Sequence, residues 1–102
     1  MHLVDILLPR MDNSGEPFAA HEFDRVREEL VSRFGGVTAF LRSPASGLWH
    51  DDSGALCSDE IVIFEVMTQE LDKEWWKAYR RQLEKRFRQK EIMMRAVAVE
   101  RL

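Results

Sequence analysis

The sequence predicts an α+β fold of βαββαβ order, in which two helices cover one face of a four-stranded antiparallel sheet and a small extra hairpin is added. Short segments rich in branched apolar residues alternate with two longer segments whose apolar residues recur every three or four positions. The chain has 102 residues, of which 45% are hydrophobic and 32% are charged, as in a globular protein with one core. We therefore expect residues 1–102 to form a single domain.

The N-terminal half is predicted to contain a strand, a helix and a second strand. The segment HLVDILLP is short and apolar and ends at Pro9, which predicts the first strand. Pro17 is expected at the first helical position, where its missing N–H costs no hydrogen bond. The helix then has one apolar face, formed by Phe23, Val26, Leu30, Val31 and Phe34. Gly35 and Gly36 end this helix, because glycine adopts a positive φ without a steric penalty, and GVTAFLR follows as the second strand.

The C-terminal half is predicted to contain a hairpin, a strand, a helix and a last strand. The segment GLWHDDSGALC predicts a small hairpin with its tip at Asp52–Gly54. EIVIFEVM has the strongest strand pattern of the chain and suits a central position. Asp72 is expected to cap the second helix. The apolar stripe of that helix is Leu71, Trp75, Tyr79, Leu83 and Phe87, with Ala78 beside it and Trp76 flanking it. EIMMRAVAVERL predicts the final strand.

The order of the strands in the sheet follows from the handedness of their connections. Right-handed crossovers place the first and third main strands in the middle, the last strand beside the first, and the second strand beside the third. Side chains alternate between the two faces of a strand, and this period places Asp5, Glu65 and Arg95 on one face. We assign these residues to the face away from the helices, here called the open face, because a charge against the helix layer would be buried in the main core.

The open face is otherwise apolar, which predicts that something covers it. Its apolar members are Leu3, Leu7, Ile61, Ile63, Met67, Met93 and Val97. Monomers rarely expose so large a contiguous apolar patch, so we expect a homodimer formed through the sheet face. The dimer would enclose the three charged residues, and two carboxylates near one guanidinium can raise the pKa of one carboxyl group. The three residues are either a structural ion-pair network or part of a ligand-binding or catalytic pocket.

The candidate site residues follow from this geometry. The candidate catalytic residues are Asp5, Glu65 and Arg95. The candidate ligand-binding residues lie at the rim of the open face and are Thr38 and Arg42 of the second strand with Trp49 or His50 of the hairpin. In a catalytic pocket, Asp5 or Glu65 would act as general acid or base, and Arg95 would stabilise an anion.

Other kinds of site have little support in the sequence. Residue types that bind metals crowd between His50 and Glu60, but their spacing matches no metal signature, so we expect no metal and no cofactor. Nothing in the sequence pairs Cys57 with a base that would activate it. No apolar run approaches the roughly 18 residues of a membrane span, so we expect no membrane partner. The single cysteine and the absence of an export signal pattern predict a cytoplasmic protein.

Charge is distributed unevenly along the chain. Residues 71–90 hold eight Lys or Arg against three acids, whereas the whole chain has a formal net charge of -3. The basic segment is either a solvated helix surface or a surface that attracts phosphate groups or an acidic partner. The third main strand lacks the basic-Gly-aromatic start of the RNA recognition motif, and the chain is acidic overall, so we do not expect a nucleic-acid partner.

A resemblance to known proteins covers the whole chain. It rests on the element order, on the segments FGGVTAFLR and IVIFEVM, and on the GLW of the hairpin. The order resembles the ferredoxin-like superfamily, and the apolar open face makes the chain most similar to its dimeric α/β-barrel branch. The segments are also similar to a group of short bacterial proteins of unassigned function. The resemblance implies a dimer and a pocket between sheets or between sheet and helices. The branch includes cofactor-free monooxygenases and ligand-sensing domains, and no catalytic set of its enzymes maps residue by residue onto this chain.

Two functions are compatible with these observations. The first is a cytoplasmic homodimeric binding or accessory domain, in which the open face serves as the dimer interface or as a small-ligand site. The alternative is a cofactor-independent enzyme, monooxygenase-like or isomerase-like, that acts on a hydrophobic small molecule. A cavity on the order of several hundred Å³ touching a carboxylate would favour the enzyme, and fully paired charges with no cavity nearby would favour the binding domain.

Overall fold

The computed structural model describes residues 1–42, 49–50, 56–57 and 60–102, with the side chains of residues 1–39 and 60–102. The strands are β1 (His2–Pro9), β2 (Thr38–Arg42), β3 (Trp49–His50), β4 (Leu56–Cys57), β5 (Ile61–Thr68) and β6 (Met93–Ala98). The helices are α1 (Ala20–Phe34) and α2 (Lys73–Arg86). The arms of the predicted hairpin pair with each other, with Trp49 of β3 opposite Cys57 of β4. The predicted hairpin tip, Asp52–Gly54, lies outside the described residues.

Strands β1, β2, β5 and β6 form one antiparallel sheet. Their order is β2-β5-β1-β6, which confirms the predicted fold class and the predicted positions of the strands. β1 is central because both of its edges are paired, with Ile6 opposite Phe64 of β5 and Met94 of β6. β5 is the other central strand, and Thr38 of β2 is opposite its residue Glu65.

The segment before α1 forms a tight turn and not a first helical turn. Pro17 takes part in an isolated antiparallel bridge. Asp12 Oδ1 accepts hydrogen bonds from the backbone N–H groups of Ser14 and Glu16, at 2.9 and 3.0 Å. Such local bonds from side chain to backbone compete with helix formation. The helix therefore begins at Ala20, and the prediction of Pro17 at its first position is wrong.

The predicted helix signals at Gly35 and Asp72 are both confirmed. Gly35 ends α1 in the left-handed conformation, with φ of 82°, and its N–H donates to the carbonyl oxygen of Val31 at 2.8 Å. Asp72 precedes α2, and its Oδ1 accepts a hydrogen bond from the backbone N–H of Trp75 at 3.1 Å. Each bond satisfies a backbone group that the helix itself leaves without a partner.

The buried face of α2 is rotated from the predicted stripe. Trp76 is 5% exposed, whereas Trp75 is half-buried and Ala78 is exposed. Trp76, Tyr79 and Leu83 are three and four positions apart, and all three are buried. The prediction that Trp76 only flanks the stripe is wrong, because Trp76 belongs to the core, while Trp75 is partly buried and packs against that core. Both tryptophans satisfy helical spacing, and only packing distinguishes them.

The hydrophobic core lies between the sheet and the two helices. The sheet contributes Val4, Ile6, Leu8, Phe64 and Val66, which define the covered face, and the helices contribute Val26, Leu30, Trp76, Tyr79 and Leu83. A polar cluster borders this core: Tyr79 Oη and Arg86 Nη1 donate to the same oxygen, Glu29 Oε1, at 3.0 and 2.6 Å. The carboxylate of Glu29 therefore supplies the hydroxyl of Tyr79 with the partner that a buried hydroxyl requires.

The C-terminal strand is shorter than predicted. β6 spans Met93–Ala98, and the predicted segment extended over residues 91–102. Beyond the strand, the N–H of Val99 donates to the carbonyl oxygen of Met1 at 3.0 Å, which holds the two ends of the chain side by side. No helix in the described part of the chain has the length and apolar character needed to cross a membrane.

Candidate functional site

Four polar residues form one row across the open face. The register places Glu65 of β5 opposite Asp5 of β1, and Asp5 opposite Arg95 of β6. Thr38 of β2 is opposite Glu65 on its other side. Val4, next to Asp5 in the chain, belongs to the core, so this polar row points away from the helices, as predicted. The sheet thus brings the three candidate catalytic residues together with one candidate ligand-binding residue.

The ion pair within the polar row is partly exposed. Arg95 Nε donates to Asp5 Oδ2 at 3.3 Å. The side chain of Asp5 is 16% exposed and that of Arg95 is 52% exposed, so solvent reaches the guanidinium more than the carboxylate. Asp5 Oδ1 is buried and accepts no hydrogen bond from Arg95 or any other donor of the described residues. One oxygen of Asp5 is therefore available to a neighbouring acid or to a ligand.

Glu65 holds its proton more tightly than an ordinary glutamic acid. A hydrogen bond to Asp5 raises the pKa of Glu65 above its ordinary value of 4.5, and burial and the negative charge of Asp5 raise it further. The positive charge of Arg95 acts in the opposite direction. In its protonated form, Glu65 is placed across the strand pair to donate to Asp5. The effect expected from two carboxylates near one guanidinium thus falls on Glu65.

A cavity of about 510 Å³ opens beside Glu65, where α1 ends and β2 begins. The lining of this Glu65 cavity includes Phe34, Gly36, Thr38, Glu65, Met67 and Arg101. The volume is in the range of small-molecule sites. Sequence reasoning missed two of its members. Gly36 was expected only to end a helix and Arg101 only to lie in the last strand, and no sequence signal connects either residue to Glu65.

Apolar side chains surround the polar row, and some of them are more buried than predicted. Met67, Met93 and Val97 are 49%, 57% and 53% exposed. Ile63, in contrast, is only 2% exposed, although alternation places it on the open face. The prediction of Ile63 as part of an uncovered apolar patch is wrong; the residue lies in a central strand, where β1 and β2 flank it on both sides. The exposed apolar surface is therefore narrower than the sequence indicates.

The backbone places the other candidate ligand-binding residues outside the polar row. Arg42 is at the far end of β2 from Thr38 and pairs with Ile61. Trp49 and His50 form β3, which belongs to the separate two-stranded sheet. The side chains of Arg42, Trp49 and His50 lie outside those that the structure describes.

The sequence cluster of metal-binding residue types is also only partly described. The side chains from His50 to Asp59, including Cys57, lie outside the described ones. Within residues 1–39 and 60–102, no three His, Cys, Asp or Glu side chains are arranged to hold a metal ion. In this part of the chain, the open face offers carboxyl, guanidinium and hydroxyl groups to a ligand.

Comparison with solved structures finds a distant structural relationship. The chain shares its fold with a phage SAM lyase. The structure of that lyase in complex with S-methyl-5'-thioadenosine aligns with a TM-score of 0.65 and 14% sequence identity, over 94% of this chain and 79% of the lyase chain. The apo structure aligns with a TM-score of 0.63 and 12% identity, over 94% and 78% of the two chains. No protein-family model and no curated protein matches the sequence.

The likeness to the phage enzyme concerns the fold. At 14% identity, shared architecture does not carry a shared activity, because one fold supports many unrelated sites. The ferredoxin-like element order agrees with the observed sheet and helices. The resemblance to the dimeric α/β-barrel branch receives no support from a family model or a curated protein.

Proposed function

We propose that the protein is a binding domain for a small organic ligand, which lies in the Glu65 cavity against the open face. One observation carries the proposal: Glu65 and Asp5 are neighbours across two strands, and a cavity of about 510 Å³ touches Glu65. Carboxyl groups in this position attract a positive centre or accept hydrogen bonds, while Met67 offers an apolar contact. The lining combines the polar side chains of Thr38, Glu65 and Arg101 with apolar ones, so it suits a ligand that has both polar and apolar parts.

The fold likeness indicates which probes to use. The phage enzyme is named for SAM, and its structure holds S-methyl-5'-thioadenosine. SAM carries a positive sulfonium centre, whereas S-adenosylhomocysteine has the same skeleton with one methyl group fewer and a neutral sulfur. A site that depends on Glu65 and Asp5 should prefer the sulfonium, because opposite charges attract more strongly near a partly buried surface than in bulk water.

Calorimetric titration of the full chain at neutral pH tests the proposal. SAM is expected to bind more tightly than S-adenosylhomocysteine. Glu65→Gln should weaken SAM binding about tenfold and change the affinity for S-adenosylhomocysteine much less, since only SAM places a positive charge near the carboxyl pair. The matched control is Glu70→Gln, which removes a negative charge from an exposed acid outside the polar row.

Two results would contradict the binding proposal. The first is that neither compound binds at millimolar concentration. The second is that Glu65→Gln and Glu70→Gln weaken SAM binding equally, which would mean that net charge and not the Glu65 cavity governs the attraction.

A second function, a cofactor-independent enzyme acting on a small organic molecule, is favoured by the raised pKa of Glu65. A carboxyl group with a raised pKa is a better base when ionised than an ordinary glutamate, so Glu65 is suited to exchange a proton with a reacting group. Asp5 would orient Glu65, and Arg95 would stabilise an anion. Incubation with SAM, followed by chromatography for S-methyl-5'-thioadenosine, tests one such reaction, an elimination. Glu65 would take a proton from the carbon next to the C–S bond, a C=C bond would form in the four-carbon fragment, and the neutral thioether would leave with the electron pair of the C–S bond. Turnover should be lost in Glu65→Gln, and equal turnover in both proteins would contradict a catalytic role for Glu65.

We also propose that the protein forms a homodimer through the open face, where pairing would bury the exposed side chains of Met67, Met93 and Val97. Met93→Lys should convert the dimer to a monomer in light scattering. Val31→Lys, at a position 43% exposed on α1, is the matched control and should leave the dimer intact. A monomeric wild-type protein, or equal behaviour of the two variants, would contradict the dimer.

A further inference from the structure

A second cavity lies on the other side of the sheet, between α2 and the edge strand β6. Its volume is about 170 Å³. The floor of this α2 cavity includes Val4, Trp76 and Met94, and its rim includes Lys73, Lys77 and Arg80. Val4 and Trp76 are 1% and 5% exposed, so the floor belongs to the core side of the sheet. The α2 cavity is therefore separate from the Glu65 cavity.

The rim is positively charged because of helix geometry. Lys73, Lys77 and Arg80 are four and three positions apart and lie on one side of α2. Arg80 Nε is 3.8 Å from Glu84 Oε2, but it is buried and makes no hydrogen bond with the described residues. Lys73 and Lys77 form no salt bridge with any residue in the described part of the chain. The rim thus carries more positive charge than its neighbours neutralise.

We propose that the α2 cavity binds a small organic anion, a carboxylate or phosphate attached to an apolar body. The three cations of the rim would hold the anionic group, and the apolar floor would contact the body. The size of the cavity limits that body. A cavity of about 150 Å³ holds benzene, so 170 Å³ accommodates one six-membered ring or a short alkyl chain.

The shape of the cavity favours a small anion over a nucleic acid. Nucleic acids gain affinity from several phosphate contacts along an extended surface and from bases that stack on exposed aromatic rings. Trp76 lies at the bottom of the cavity with 5% of its surface exposed, where a base cannot stack on it. Three positive residues of the basic segment surround a concave apolar floor, which suits a small anion better than an extended nucleic acid.

NMR of the methionine methyl groups tests this inference in the intact chain. Met94 lines the α2 cavity, and Met67 lines the Glu65 cavity, so one spectrum reports on both sites separately. Titration with benzoate and with phenyl phosphate should shift the Met94 resonance to saturation and leave Met67 unchanged. Benzyl alcohol has the same ring without the charge, and its affinity should be lower than that of benzoate by a factor of about ten or more.

Matched variants separate the cavity from general charge. The double variant Lys73→Gln with Lys77→Gln should weaken binding of phenyl phosphate by about tenfold. Lys85→Gln with Lys90→Gln removes the same charge from residues outside the α2 cavity and should change the affinity little. Ala96→Leu, at a lining position, should abolish the Met94 shift by filling the cavity while the charge stays the same.

Four results would overturn the inference. The first three are the absence of a saturable Met94 shift, equal binding of benzyl alcohol and benzoate, and an equal loss of affinity in the two double variants. The fourth is a response to a single-stranded oligonucleotide that depends on Lys73 and Lys77, with no response to the small anions. The last result would identify a nucleic-acid surface. None of them bears on the Glu65 cavity, which the SAM titration tests.

Discussion

The two faces of the sheet use alternate residues of the same strands in opposite ways. On the covered face, Val4, Ile6 and Leu8 of β1 are at most 1% exposed. On the open face, Asp5 lies between them in sequence and forms an ion pair, and Met93 of the neighbouring strand is 57% exposed. Because the helices cover only one face, adjacent residues of one strand lie alternately in the buried core and on the exposed face.

The largest expected effect comes from removing apolar volume on the covered face. Ile6→Ala should lower the free energy of unfolding by about 2 to 5 kcal/mol, because Ile6 is fully buried and its truncation leaves a cavity. Met93→Ala on the open face should cost a single subunit less than about 1 kcal/mol, since the side chain is mostly exposed there. Urea unfolding of the two variants, at a protein concentration at which light scattering shows monomers, checks this. Similar losses would mean that the open face supports the fold of the single subunit as much as the covered face does.

Each face also carries one polar cluster, and the two clusters differ in how they are solvated. On the covered side, Tyr79 is 6% exposed and the side chain of Arg86 is 11% exposed, and both donate to Glu29. On the open side, Arg95 is 52% exposed and donates to only one oxygen of Asp5. In the first cluster one carboxylate oxygen accepts two hydrogen bonds, while Arg86 Nε and Nη2 find no partner among the described residues. In the second cluster, Arg95 leaves the other oxygen of Asp5 to Glu65 or to the proposed ligand.

Tyr79→Phe is expected to have the second largest effect, a loss of about 1 to 2 kcal/mol, because it removes a hydrogen bond to the charged Glu29. Burial raises the pKa of Tyr79 above its ordinary value of 10.0, and the negative charge of Glu29 and the hydrogen bond to Glu29 raise it further. The positive charge of Arg86 lowers this pKa by less than the other effects raise it. The unfolded chain therefore loses this proton at lower pH than the folded chain. Stability from Tyr79 is complete below pH 10.0 and declines as the pH rises above it.

The measurement is urea unfolding of wild type and Tyr79→Phe between about pH 8 and about pH 11. The difference in unfolding free energy between the wild type and the variant should become smaller as the pH rises, because only the wild type has a phenolic proton to lose. If the difference in unfolding free energy stays constant over this range, the hydroxyl of Tyr79 is not held in the buried, proton-bound state.

Local signals predicted much of the fold. The helix end at Gly35 and the helix cap at Asp72 depend on bonds made within one turn, so a few neighbouring residues determine them. Alternation placed Asp5, Glu65 and Arg95 on one face, because a strand has only two faces and a charge is excluded from the core. The candidate catalytic cluster could therefore be located before any geometry was known, although its function could not.

Most of the features that sequence reasoning missed depend on contacts between distant segments. Pro17 is the exception: Asp12 holds the preceding turn through local bonds to Ser14 and Glu16, and these bonds displace the start of the helix. Trp75 and Trp76 satisfy the same helical spacing, and their different burial is decided by packing. Both cavities require residues far apart in the chain, such as Arg101 beside Glu65, and hydrophobic periodicity carries no information about them.

The smallest expected effect is that of substituting Glu65 on the open face. Unlike the substitutions above, this one should increase the stability of the fold. The hydrogen bond to Asp5, burial and the charge of Asp5 raise the pKa of Glu65, so the folded chain keeps this proton after the unfolded chain has lost it. Glu65 therefore contributes most to stability below pH 4.5, and this contribution is lost as the pH rises through the folded pKa. Glu65→Gln mimics the protonated acid at every pH, because its amide can donate to Asp5.

Glu65→Gln should accordingly gain stability relative to the wild type as the pH rises from about 4 to about 7, by less than about 1 kcal/mol because the polar row is partly solvated. Glu70→Gln is the control, since Glu70 is exposed and lies outside the polar row. Chemical unfolding of the three proteins across this range measures the effect. A variant less stable than the wild type at neutral pH would mean that the charged form of Glu65 stabilises the fold, and the open face would then contribute to stability in the same way as the covered face.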